Sequence, residues 1–141
     1  MVNGKAPLYA TLLAAGLFAA VVLGVQPYSA DWPGTAYTKP ARQFIRSAMR
    51  EDSADLRRRS ASMSPVLWAL EAARVHPDTL ALWSRRVRVW TGERRGDTTE
   101  VFVYPAGEVC SEAPIVLRFV GWGSAARVLR AGSTCLVSSY P

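Results

Sequence analysis

Residues Leu8 to Val25, LYATLLAAGLFAAVVLGV, run for eighteen positions without a charge. At a rise of about 1.5 Å per residue, a helix of this length spans about 27 Å, close to the roughly 30 Å hydrocarbon core of a bilayer. The run predicts a transmembrane helix. It divides the chain into a stub over 1–7, the span over 8–25, an extended interfacial linker over 26–40 and a soluble domain over 41–141. The apolar stretch exceeds the roughly 7–15 residues of a cleavable signal peptide. The one candidate cleavage site, Tyr28-Ser29-Ala30, puts a bulky side chain where a small one is needed, and no Cys follows the run to carry a lipid. An uncleaved signal anchor is therefore expected. Lys5 precedes the span, whereas Gln26 to Thr38 hold no Lys or Arg and one Asp31. The positive-inside bias then puts the N-terminus in the cytoplasm and the C-terminal domain in the periplasm of a bacterial inner membrane.

Gly16, Ala20 and Gly24 recur every fourth residue, beside a parallel row of Thr11, Ala15 and Ala19. Small residues at this spacing make a groove into which a second helix backbone can settle. Leu13, Leu17, Phe18, Val21 and Val22 occupy the other side. The span has no imidazole to ligate a haem or chlorophyll and no ionisable group for a proton relay, so it reads as an anchor and packing element. Tyr9 before the span and Tyr28, Trp32 and Tyr37 after it are placed for interfacial aromatic belts. Pro27, Pro33, Gly34 and Pro40 mark the linker.

The soluble part is large enough for one small core. A chain 50% hydrophobic and 10% aromatic folds rather than remaining disordered. The net charge of +6 admits contact with anionic lipid, nucleic acid or an acidic protein. Arginines scattered along an anchored chain disfavour nucleic acid, and Arg57-Arg58-Arg59 reads as a solvated helix face. Cys110 and Cys135, separated by 25 residues, both fall in this domain and predict one disulfide in an oxidising compartment.

Helical spacing of Phe44, Ile45, Ala48 and Met49 predicts a helix over Ala41 to Arg50, started by Thr38 or Lys39 before Pro40. Ser53 can cap a second helix over Ala54 to Arg59. Ser64-Pro65 opens a third, with Val66, Leu67, Ala69, Leu70 and Ala73 as its apolar face, and His76-Pro77 stops it. One more turn is expected over Asp78 to Leu82. The pattern then changes to period two. Strands are expected over Arg86 to Trp90, Thr99 to Tyr104, Ile115 to Val120 and Ala125 to Arg130, with a turn at Gly92 to Asp97, a hairpin at Gly121 to Ser124 and a last edge over Thr134 to Val137. Helices followed by an antiparallel meander make an α+β domain, with two to three helices on a curved sheet of three to four strands.

The run ARQFIRSAMREDSADLRRRSAS, Ala41 to Ser62, resembles the opening of nuclear transport factor 2-like domains, and the order of elements to Val137 is similar as well. The resemblance implies a cone-shaped cavity, used by some relatives for catalysis and by many for protein contacts. Enzymatic relatives place a polar pair such as Asp–His inside the cone. Here the one histidine, His76, stands at a helix end, where it serves more naturally as a cap. No catalytic residue is carried over.

Other chemistry is equally thin. Two Cys and one His cannot build a structural zinc site, no Gly-rich phosphate loop precedes a helix, and no serine has a convincing His and acid partner. No cofactor is expected. Glu93, Asp97 and Glu100 cluster at a hairpin tip as solvated charges. Trp68, Trp83, Trp90 and Trp122 are numerous for so small a domain. Trp90 and Trp122, with Arg86 and Arg88 on a basic strand face, are the candidate partner-binding residues, because Trp and Arg are enriched at interfaces. The expected role is a non-catalytic accessory subunit of a larger membrane complex, held by integral membrane subunits and lipid. Respiratory or photosynthetic reaction-centre assemblies are the expected context. The alternative is an anchored small-ligand-binding or enzymatic domain using the cone. An open cavity lined by ionisable groups would favour that alternative, and a cone plugged by apolar side chains would count against it.

Overall fold

The computed structural model describes residues 35–136. The expected membrane helix with its Gly16, Ala20, Gly24, Ala15 and Ala19 face lies outside these residues, as do Tyr9, Tyr28 and Trp32. Among the described residues no helix is long and apolar enough to cross a membrane.

The described chain is α+β, as its periodicities predict. Helix α1 covers Thr35–Met49, α2 Ser53–Arg58, α3 Met63–Val75 and α4 Pro77–Leu80, followed by a 3-10 turn over Ala81–Ser84. Strands β1 (Arg88–Arg95), β2 (Thr98–Tyr104), β3 (Ile115–Val120) and β4 (Arg127–Gly132) form an antiparallel meander in sequential order. Alternation puts Val89, Thr99, Val101, Val103, Ile115, Leu117, Phe119 and Val128 on the buried face. The helices cover that face, with α3 against β4 and α1 packed on α2 and α3.

Helix α1 begins at Thr35 rather than Ala41, so the expected extended linker ends six residues early and Pro40 lies inside the helix. A proline there removes one helical hydrogen bond and costs about 3 kcal/mol. The compensation is one continuous apolar stripe: Tyr37, Ala41, Phe44, Ile45 and Ala48 are all 0–2% exposed. Tyr37 is therefore a core residue, which corrects its assignment to a membrane-interface belt. Its ring lies 5.3 Å from that of Phe119, and its hydroxyl sits 3.2 Å from both Thr99 Oγ1 and the Gly121 carbonyl. Long-range contacts of this kind have no signature in local spacing.

In α2 the N-cap is Asp52 rather than Ser53, its carboxylate accepting from the Asp55 amide at 3.1 Å. In α3 the buried face is Pro65, Val66, Trp68, Ala69, Ala72 and Ala73, while Leu67 is 47% exposed. The expected stripe holds except at Leu67, and Trp68 takes the inward position. The α2–α3 connector then bridges β4: Val128 donates to the Arg59 carbonyl at 2.8 Å, and Ala61 donates to the Val128 carbonyl at 2.7 Å. This covers an edge that would otherwise be open to another strand. Strand β1 extends to Arg95 through a bulge between Thr91 and Arg94, so the hairpin turn is tighter than expected. Gly92 lies in that bulge, where an added Cβ would fall 2.6 Å from Phe102 Cε2. Thr134 to Leu136 adopt bends rather than the expected strand.

Asp55 joins α2 to α1. Its carboxylate accepts from Ser47 Oγ, from Arg59 Nε at 2.6 Å and from Arg58 Nη2 at 2.8 Å, while Arg59 Nη1 donates to Gln43 Oε1 at 2.7 Å. The Ser47 hydrogen bond, then that of Arg59, hold the Asp55 carboxyl down at about 2, against an ordinary 3.8. Because the folded-state value is the lower one, the resulting stability is complete above the ordinary value and is lost as pH falls through about 2. Asp55→Asn is expected to cost roughly 2 kcal/mol at neutral pH, the scale of a charge-assisted hydrogen-bond set at a partly exposed site. Urea unfolding at neutral pH checks this. A stability loss between pH 4 and 2 as steep in the variant as in the wild type would refute the assignment.

Candidate functional site

The space between sheet and helices, where a cone cavity would lie, is occupied by Tyr37, Phe44, Trp68, Leu117 and Phe119, each at most 1% exposed. The concavities with chemistry lie at the surface.

Two adjoining clefts, about 300 and 540 Å³ in volume, share Arg42, Arg86 and Val87. The first lies between α1 and the 3-10 turn and adds Arg46 and Arg85 over a floor of Ile45 and Trp83. The second continues past Arg88 to the Pro105-Ala106-Gly107 segment after β2. Five arginines thus meet at one place, and among the described residues no Asp or Glu lines either cleft. None of the five takes part in the ion pairs found among the described residues.

Rigid elements position them. Arg42 and Arg46 are one helical turn apart on α1, whose opposite face is locked into the core. Trp83 is buried and donates from Nε1 to the Val103 carbonyl at 2.8 Å, which fastens the segment bearing Arg85 and Arg86 to β2. Arg88 lies over the Tyr104 ring, 5.6 Å from its centroid, across the register pair Arg88–Tyr104. Sequence reading singled out Arg86 and Arg88 but missed Arg42, Arg46 and Arg85. The i, i+4 pair on α1 and the Arg85-Arg86 doublet were visible, but the fold alone joins them. The sequence impression of scattered arginines is corrected here. Arg57 to Arg59 behave as expected of a solvated helix face: Arg57 and Arg58 are exposed, while Arg58 and Arg59 pair with Asp55.

The four candidate partner residues do not form one patch. Trp90 stands on the sheet face away from the helices, where register aligns it with Phe102 and then Val116. These three are half-buried against one another, flanked by Tyr104 and by the Glu100–Arg118 pair at 3.7 Å. Trp122 follows β3, 58% exposed, with its ring edge-on to Tyr37 at 5.5 Å and Arg94 at 5.4 Å above it. Arg88 and Arg94 mark opposite ends of β1, roughly 20 Å apart at strand rise. Arg86 therefore belongs to the clefts, Trp90 to the outer sheet face and Trp122 to the far end, while Arg88 stands on the outer face beside Trp90 and also lines the second cleft.

Of the remaining expected features, Cys110 and Cys135 are bonded, with their Cα atoms 5.9 Å apart. His76 occupies the junction of α3 and α4, its backbone N–H donating to the Ala72 carbonyl. Glu93 pairs with Arg95 at 3.2 Å near the hairpin tip, both exposed. No family model, no curated protein and no solved structure matches this chain.

Proposed function

We propose that this chain is a non-catalytic, single-pass accessory subunit of a bacterial membrane complex, anchored through 8–25 and presenting its α+β domain on the periplasmic side. The observation that carries the reading is the outer sheet face. Trp90, Phe102 and Val116 form an apolar row across three strands, and no helix among the described residues packs on it. Such rows on an antiparallel sheet are suited to docking a second protein. The disulfide agrees with an oxidising compartment. The order of helices and meander agrees with the nuclear transport factor 2-like resemblance, in its protein-contact rather than its enzymatic form. The apolar filling of the interior disfavours the alternative of a ligand bound in the cone.

A mild-detergent pull-down from native membranes tests this, with mass spectrometry of what co-migrates. Integral membrane proteins in stoichiometric amounts are the expected result. Trp90→Ser should lose them while retaining the disulfide and the thermal transition. Gly16→Leu with Ala20→Leu should insert normally but weaken association by about 1–2 kcal/mol. Migration of the wild type as a lone monomer would overturn the proposal.

A further inference from the structure

We infer that the arginine-lined double cleft is a binding site for a phosphate group. The local arrangement opposes stability unless an anion fills it. Arg42 and Arg46, as like charges at i and i+4, repel along α1, and Arg85, Arg86 and Arg88 add three more cations to the same hollow. A fold that concentrates charge against its own stability commonly does so where it has something to bind.

The chemistry of the lining selects the ligand. A guanidinium offers a planar fork of donors that matches two oxygens of a phosphate, and several forks converging from different elements can take up all its oxygens. With no carboxylate among the described lining residues, an anion fits the cleft better than a metal cation or an amine. The floor of Ile45, Trp83 and Val87 is apolar and buried, and the arginines stand over it, Arg42 half-buried and the other four exposed. A cleft of about 300 Å³ has room for one phosphate and a small substituent. Two sources offer this group. A free phosphate or small phosphate ester is one. The headgroup of an anionic phospholipid is the other, since Arg42 and Arg46 lie on the helix that follows the expected anchor in the sequence, Arg46 in its last turn.

The test uses the full chain in a neutral detergent and follows thermal unfolding. Inorganic phosphate, titrated against chloride at constant ionic strength, is one arm. A short-chain phosphatidylglycerol, compared with the matching phosphatidylcholine, is the other. A ligand bound only by the folded state raises the transition temperature with its concentration. Stabilisation by inorganic phosphate identifies a soluble phosphate ligand, and stabilisation by phosphatidylglycerol alone identifies the headgroup. Arg42→Gln with Arg86→Gln should weaken either response about a hundredfold. Arg57→Gln with Arg130→Gln, which removes the same charge elsewhere, should leave it intact. If the first double variant does not fold, Arg85→Gln alone should still weaken the response about tenfold. No response to either probe, or an equal response in the cleft and control variants, overturns the inference.

Discussion

Tyr37→Ala is expected to destabilise the soluble domain by about 3–5 kcal/mol, the range for deleting a fully buried aromatic side chain. The residue is 0% exposed, its ring packs on Phe119 at 5.3 Å and under the edge of Trp122 at 5.5 Å, and its hydroxyl bridges Thr99 and Gly121. Removing it leaves a cavity at the joint between α1 and the end of β3. It also deletes the contact that compensates for Pro40 within the helix, so the first turns of α1 should fray. A domain of this size has roughly 5–15 kcal/mol in total, so the loss is a large share of it. Tyr37→Phe keeps the ring and should cost only about 1 kcal/mol, through the lost hydroxyl contacts. Denaturant unfolding of the full chain in detergent, followed by tryptophan fluorescence, measures both. A membrane-belt tyrosine would leave the transition of the soluble domain unmoved, so an unchanged Tyr37→Ala midpoint would restore the belt assignment.

Replacing Cys110 and Cys135 together by serine should cost roughly 3–4 kcal/mol, because the bond closes a 25-residue loop in the unfolded chain. For a domain of this size the transition should fall by roughly 15 °C or more. The bond ties the segment after β4 to the turn before β3. There Ser133 Oγ donates to the Ala113 carbonyl at 3.4 Å and accepts from the Cys135 amide at 3.2 Å, and Leu136 is 5% exposed in the core. Cys110 itself adopts φ 61, a left-handed backbone rarely taken by residues other than glycine. Without the bond, both the turn and the segment carrying Leu136 should loosen. Wild-type protein heated with a thiol reductant should reproduce the serine variant. Equal transitions with and without reductant would remove the bond and, with it, the support it lends to a periplasmic location.

Much of the fold was legible because backbone geometry imposes its own period on the sequence. Ile115 to Val120 is a short apolar run rich in β-branched residues; its strand has the bounds expected, and burial alternates along it without interruption. His76-Pro77 ends α3 as expected, because the residue before a proline resists helical geometry. The misjudged boundaries are those where a distant partner decides. Pro40 is a sound local start signal for α1, but the helix reaches back beyond it to Thr35 because Tyr37 finds the end of β3. Gly92 reads as a turn that ends β1 at Trp90, whereas in the fold it makes room for Phe102 on the neighbouring strand.

The sequence by itself determined the uncharged run over 8–25, the α+β order and the pairing of two cysteines, since each rests on local composition or on a period that side chains must follow. Only the tertiary structure decided that Tyr37 is core, that Trp90 and Trp122 lie on separate surfaces and that five arginines share one cleft. Arg42 and Arg46 are some forty residues from Arg85, Arg86 and Arg88. Over that separation no local propensity holds them together. The meeting is enforced by helix α1 packing beside the 3-10 turn, which Trp83 fastens to β2.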